Sequence, residues 1–420
     1  MLIRDPVHGD VHLSALETRV LDLPELQRLR GIKQLGTASL VYPGCVHTRF
    51  DHSLGACAAA HRIIDSLRNH GGAAIEAALA DLIGCAALLH DVTHVPFGHT
   101  LEDERRLFPR HDKGTRLARL LDGPLGEHLA RLQIKEPIAA LLGAASPAAV
   151  PRWARQIVAS TIDADLLDYL RRDAYFAGLR QDYDDRIYRY FTIDDGQLAI
   201  NMTKHGMERP DARSETVALL RLRYFLTERV YYHHTKVAAG AMISKAVELA
   251  IPHGITDASL LTYNDWTLLD SLARVPDHGI SDLVDGLRQR RLYKRGYALS
   301  AHSVGEAERA RLVARFHESP TTRAEAEATL ARALGCPPHA VIVYCPALTV
   351  MKEAAVLVRR PDGLAPLNRD AAHHLAEIAA LEARYAALWR LYVFVPPELT
   401  AGAARAAHEF FGSPSEFRAP

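Results

Sequence analysis

The chain has 420 residues, 48% hydrophobic and 24% charged, which is enough to bury one large core or two smaller ones. Its 50 Lys and Arg balance its 50 Asp and Glu, so there is no global electrostatic pull towards nucleic acid. Five cysteines without a CxxC pair argue against a thiolate zinc cage or a disulfide framework. The absence of a signal-like start and of a membrane-length apolar run points to a cytoplasmic protein with no membrane contact.

Ala, Leu, Arg and Glu dominate, so most of the chain reads as helix. Residues 73–89 are apolar on most faces, through Leu79, Leu82, Ile83, Ala86, Ala87 and Leu89, which assigns this helix to a core. His90-Asp91 follows at its C-terminal end. Residues 143–151 read as a loop, and 152–170 as a second apolar-periodic helix carrying Asp163, Asp165 and Asp168. Residues 191–200 predict a hairpin, with Asp195-Gly196 as its tight turn, and 203–213 a further loop. Residues 214–249 form a third helical stretch, interrupted at Tyr231-Tyr232-His233-His234. Residues 341–344, 355–358 and 391–395 read as strands, and the last twenty residues are expected to fray. The fold class is therefore mainly α. A helical domain covers residues 1–250, and a smaller mixed α/β portion, 251–420, packs on it and takes part in oligomerisation.

Many of the 22 histidines fall in the first 111 positions. His52, in Arg49-Phe50-Asp51-His52-Ser53, means little alone. His90-Asp91-Val92-Thr93-His94, followed by His99, is more informative, because its first pair ends an apolar helix. Burying such a pair without partners is costly, and a divalent metal is one good partner for imidazole and carboxylate together. The acids at 163, 165 and 168 could line a solvated helix face paired to Arg171 and Arg172. That reading explains one or two of them, but less well an acid on nearly every turn of an apolar helix.

These motifs, in order, resemble the HD-domain phosphohydrolases, in the branch of deoxynucleoside triphosphate triphosphohydrolases. The likeness runs from Asp5-Pro6-Val7-His8-Gly9 through Gln27-Arg28-Leu29-Arg30, Tyr42-Pro43-Gly44 and Thr48-Arg49-Phe50-Asp51-His52-Ser53. It continues through His90-Asp91, Asp163-Ala164-Asp165, Asp168-Tyr169, Arg172-Asp173 and Tyr231 to His234. The resemblance implies a helical HD core and four metal ligands, His52, His90, Asp91 and Asp165, with Asp163 and Asp168 structural or orienting. Two imidazoles and two carboxylates leave positions on an octahedral Mn, Fe, Mg, Zn, Ni or Co ion for water and a phosphate oxygen. His94 and His111 are implied in phosphate contact or proton transfer, and His99 with Glu102 in activating the nucleophile. Arg49 and Arg223 would grip phosphates. Gln34 and Asp173 would contact the sugar 3′-hydroxyl, Tyr231 the sugar face, with Leu35 and Tyr169 in the same pocket. Asp22, Gln27 and Arg30 match residues that hold an activating nucleotide.

Two positions depart from the pattern. Leu166 stands where a phosphate-binding lysine follows the metal-binding Asp, and Tyr232 where a glutamine lies near the base. The leading expectation is hydrolysis of deoxynucleoside triphosphates to deoxynucleoside and tripolyphosphate. The alternative is another nucleotide or phosphate ester, which Leu166 favours. A nuclease or nucleic-acid-binding role would rest on Arg288, Arg290, Arg291, Lys294 and Arg295, which read better as a solvated or subunit-contact face. Retention of all four ligands argues against a non-catalytic scaffold, and homodimers or tetramers are the expected assembly.

Overall fold

A computed structural model describes residues 1–112, 115–146, 149–369 and 375–417. It is mostly helical. Thr48 caps the long helix Arg49–Asn69, exchanging hydrogen bonds with Asp51, so Arg49 and His52 lie in its first turn. The helix Ala77–Leu89 packs against it and buries Ile83, Ala86, Ala87, Leu88 and Leu89. It begins four residues later than the periodicity predicts, and His90 ends it.

The stretch 152–170 is not one helix. It divides into Arg152–Val158 and Ala164–Phe176. Asp163 sits between them in extended conformation and accepts from the backbone N–H of Leu166 at 2.8 Å and of Ser160. An Asp that caps a new helix wins here over unbroken apolar periodicity. The break lets the second helix run against Arg49–Asn69 and present Asp165 and Asp168 to it.

The third stretch is Pro210–Leu226, a wide π turn over Thr227–Tyr231, and His234–Ala250, interrupted where the sequence indicates. Residues 203–213 are more ordered than a loop: Thr203–Lys204 pairs with Met207–Glu208, and Pro210 opens the helix. The loop expected at 143–151 includes residues 147–148, which lie outside the described residues.

The hairpin Phe191–Asp194 and Gln197–Asn201 turns at Asp195 and Gly196, both left-handed (φ 47° and 66°), as a two-residue Asp-Gly turn requires. Gln197–Asn201 also pairs in parallel with Leu357–Arg360, which pairs with Gly363–Pro366. A strand from late in the chain thus completes a sheet begun before residue 200. The expected strand at 355–358 is displaced to 357–360, because Lys352–Ala355 form a tight 3-10 turn. A second sheet sets Arg390–Val395 between Lys294–Ser300 and Ile342–Tyr344. Trp389, Tyr297 and Phe316 fill the core beside it. The end of the chain does not fray as expected: the helix Thr400–Phe411 buries Ala403 and Ala407, and Glu416 donates its N–H to the Ala298 carbonyl at 3.0 Å. Residues 418–420 lie outside the described residues. Among the described residues no helix is long and apolar enough to cross a membrane.

Candidate metal centre

Three helices converge on one point. Arg49–Asn69 supplies His52, the end of Ala77–Leu89 supplies His90 and Asp91, and Ala164–Phe176 supplies Asp165 near its start. His52 Nε2 lies 3.2 Å from His90 Nε2, 2.9 Å from Asp165 Oδ1 and 3.7 Å from Asp91 Oδ2. His90 Nε2 lies 3.5 Å from Asp91 Oδ1 and 3.6 Å from Asp165 Oδ1. The Asp165 side chain is 38% exposed, which leaves one face of the cluster open.

The outward nitrogens fix both rings. His90 Nδ1 donates to the Ala87 carbonyl at 2.6 Å, and His52 Nδ1 to Asp168 Oδ2 at 2.7 Å. Asp168 also meets His8 Nε2 at 2.7 Å and the Arg172 guanidinium at 2.8 and 2.9 Å, while Arg172 reaches Asp5 at 2.9 Å. Burial opposes the charge of Asp168, but Arg172, His52 and His8 hold its pKa well below the ordinary value. With both Nδ1 atoms donating, both Nε2 atoms point inward, at contact distance and beside two carboxylates, where they can hold either protons or a cation in their place. Burial would lower the pKa of His52, but Asp165 and Asp168 push it up to about 10. The cluster calls for positive charge, and its two nitrogens and two oxygens suit a divalent transition ion or Mg. The residues present fit such a group.

A second cluster adjoins the first. The rings of His94 and His111 stack at 3.9 Å, and His99 stands edge-on at 4.9 Å from His94 and 5.0 Å from His111. His94 Nε2 is 3.1 Å from Asp91 Oδ1. Burial, Arg49 and His111 hold the His94 pKa well below the ordinary value, so its ring is neutral. Glu102 has a second histidine partner beside the expected His99. It lies 3.0 Å from His111 Nδ1 and 3.7 Å from His99, which is nearer Asp103 at 3.3 Å. The π turn Thr100–Glu104 moves Glu102 off the simple helical line below His99, and Arg116 holds it from the other side. Phe97 and Gly98 are both left-handed (φ 61° and 59°), and a Cβ at Gly98 would come within 2.8 Å of the Arg49 guanidinium.

Arg49 Nη1 meets Asp91 Oδ2 at 2.6 Å, beside the proposed ligands. Asp173 accepts from the Tyr231 hydroxyl at 2.6 Å and meets His47 Nε2 at 2.8 Å. Arg223 lies 5.2 Å from the ring centres of both Tyr169 and Tyr231. The Gln34 side-chain carbonyl is buried and has no hydrogen-bond partner among the described residues, and Leu35 is half-buried at the start of the adjacent turn Gly36–Leu40. Leu166 is buried in the core. Gln27 accepts from Arg30 at 2.8 Å, and the Arg30 guanidinium covers Phe50, while Asp22 is exposed at the end of helix Ala15–Leu21. Several positions in the basic cluster make local contacts: Arg288 with Asp270, Arg290 with the Leu40 carbonyl and Arg295 with the Phe417 ring.

Sequence reasoning missed several supports. His8, Asp5 and Arg172 carried a signal, as parts of the motifs that bear the resemblance. Arg28 did too, and its guanidinium gathers the carbonyls of Val92, His94 and Tyr263. His47, Asp265 and Glu353 carried none. Asp265 accepts the N–H groups of Lys33 and Phe97, and Glu353 meets Arg223.

Residues 49–173 match the HD domain family model, and residues 185–417 match the HD associated region. An uncharacterized protein of Methanocaldococcus jannaschii is 33% identical over 300 residues, covering 70% of this chain and 58% of that one. The uncharacterized YwfO of Bacillus subtilis is 31% identical, over 59% and 55%. The deoxynucleoside triphosphate triphosphohydrolase SAMHD1 of Xenopus laevis is 26% identical, over 60% and 46%. The chain spans about half the length of these curated relatives. A solved phosphohydrolase from Bacteroides thetaiotaomicron superposes with a TM-score of 0.66 at 25% identity, over 94% of this chain and 99% of that one. A hypothetical protein from Aquifex aeolicus shares the fold, with a TM-score of 0.70 at 22% identity, over 97% and 99%.

Proposed function

The chain belongs to the HD-domain phosphohydrolase family, with an HD domain followed by an HD-associated region, and from that premise we propose that it hydrolyses deoxynucleoside triphosphates to deoxynucleoside and tripolyphosphate. The observation that carries this reading is the convergence of His52, His90, Asp91 and Asp165 beside the rings of His94, His99 and His111. His52, His90, Asp91 and Asp165 would hold a divalent ion, which would supply Lewis acidity towards a phosphate oxygen and lower the pKa of a water. Neutral His94 and the Arg49 guanidinium contact the phosphate that is attacked. Glu102 fixes the Nδ1 proton of His111, which leaves Nε2 to exchange a proton with water or the leaving group. Water attacks phosphorus, the bond to the sugar 5′-oxygen breaks, and that oxygen leaves with a proton. Asp173, Tyr231, Gln34, Leu35 and Tyr169 enclose the sugar, and Arg223 holds the phosphate tail.

A second reading, hydrolysis of another nucleotide or phosphate ester, is favoured by buried Leu166, which offers no cation to a triphosphate. One assay separates the two. The metal-loaded protein, its ion identified by elemental analysis, is incubated with dNTPs, NTPs and monophosphates, and the products are resolved. The leading reading expects tripolyphosphate and free deoxynucleoside, whereas orthophosphate as the sole phosphate product would reject it. The same reading includes an activating nucleotide at Asp22, Gln27 and Arg30, and a dimer or tetramer assembled through residues 251–420. Sedimentation with and without added nucleotide tests both.

A further inference from the structure

Arg223 already has an anionic partner. Its Nε lies 3.2 Å from Oε1 of Glu353, a residue 130 positions later in the chain. The guanidinium also lies 5.2 Å from the ring centres of Tyr169 and Tyr231, so two phenol rings and one carboxylate stand around it. Both side chains of the ion pair are largely shielded, Arg223 at 22% and Glu353 at 13% exposure.

Glu353 is held there by its backbone. It lies in the tight turn Lys352–Ala355, where neighbouring Met351 and Ala354 are buried in the apolar core that also holds Leu167, Leu170 and Leu220. The Val356 N–H closes onto the Glu353 carbonyl at 3.2 Å, and the Leu367 N–H onto the Val356 carbonyl at 2.8 Å. The carboxylate can swing about its own side-chain bonds, but the turn that carries it is fastened.

We propose that Glu353 is a specificity-determining residue of the phosphate pocket, occupying Arg223 with a carboxylate that an incoming phosphate must displace. The inference rests on the reading of Arg223 as the phosphate-tail residue. A phosphate that takes the guanidinium leaves Glu353 facing another anion at short range. That repulsion grows with the charge on the ligand, so the pocket penalises a long polyphosphate tail more than a single phosphate. The HD-associated region thereby sets which phosphate esters the HD domain accepts.

The test uses the full-length, metal-loaded protein and calorimetric titration with inorganic tripolyphosphate and orthophosphate. Glu353→Gln keeps the shape and removes the charge. It is expected to tighten tripolyphosphate about tenfold, and orthophosphate less. In an Arg223→Gln background the gain is expected to vanish, because the two groups act as a pair. Glu353→Asp, which keeps the charge on a shorter arm, should fall between wild type and Glu353→Gln. It also provides a second measurement if thermal unfolding shows Glu353→Gln misfolded. If neither Glu353 variant tightens tripolyphosphate while Arg223→Gln weakens it, the specificity role is overturned and the phosphate reading of Arg223 stands. If Arg223→Gln binds tripolyphosphate as wild type does, the phosphate reading itself fails and the specificity role falls with it.

Discussion

His52 presents its two ring nitrogens to different tasks, Nδ1 to Asp168 and Nε2 to the proposed ion. Asp165→Ala removes a ligand outright, so elemental analysis should find the metal lost along with activity. Full metal content in that variant would sink the ligand assignment. Asp168→Asn leaves all four ligands in place but turns an N–H towards His52, His8 or Arg172, each of which already donates to this carboxylate. Metal affinity should fall roughly 10–100-fold, as for other partners that orient a ligating histidine, and chelator competition measures it. Glu104 offers a test independent of the metal. Burial pushes its carboxyl up to about 8, with Lys236 and Arg105 only partly offsetting this, and its Oε2 has no hydrogen-bond partner among the described residues. The folded chain therefore keeps a proton that the unfolded chain releases between 4.5 and about 8, so this group subtracts stability as pH rises through that window. Glu104→Gln should stabilise by about 1–2 kcal/mol at the alkaline end and progressively less towards the acid end, read from melting curves across pH. A gain that does not depend on pH would contradict the assignment.

At the scale of elements, the long helix Arg49–Asn69 and the helix Ala164–Phe176 pack tightly at Gly55. A Cβ there would stand 1.9 Å from Asp168 Oδ1 and 2.3 Å from Arg172 Nη2. Glycine inside a helix ordinarily costs roughly 1 kcal/mol relative to alanine. Gly55→Ala should nevertheless destabilise, by about 1–3 kcal/mol, because the methyl must displace the pair that orients His52. Urea unfolding gives the sign, and metal affinity should fall with stability. The Asp195-Gly196 hairpin was legible in the sequence because its signal is local and its two arms are neighbours. The break at residues 159–163 was not, since Ile157, Ile162 and Leu166 keep apolar periodicity running across it while Asp163 competes as a cap. The parallel pairing of Gln197–Asn201 with Leu357–Arg360 was illegible for another reason: nothing local marks a partner more than 150 residues away. The convergence of His52, His90, Asp91 and Asp165 was legible because ordered motifs carry them, whereas Glu353 and Asp265 are single acids whose meaning depends on the finished fold.

Across the whole molecule, residues before and after position 250 are joined by charge as well as by apolar packing. Arg116 holds Glu102 and also pairs with Asp257, and Asp265 accepts the Phe97 N–H, so the histidine-bearing loop is fastened from beyond residue 250. One of these joints is a buried cluster in which Arg105, Lys245 and Arg323 pair with Glu248 and Glu327. Glu327, which is 1% exposed, meets Arg105 at 2.7 Å and Lys245 at 2.8 Å, and accepts the Val343 N–H at 3.0 Å. Burial raises its pKa, but the two cations outweigh this and lower it to about 2. With a depressed carboxylate, the stability it adds is present above 4.5 and is lost as pH falls through about 2. Glu327→Gln leaves Arg105 and Lys245 to share Glu248, and removing one partner from a buried ionic set costs about 3–5 kcal/mol. Urea unfolding near neutral pH should show that loss, narrowing as pH is lowered towards 2. Because Arg105 directly follows the π turn that carries Glu102, the variant should also lose hydrolytic activity while retaining its metal. Stability unchanged near neutral pH would mean that the Glu327 ion pairs add nothing to the packing around Arg105 and Lys245.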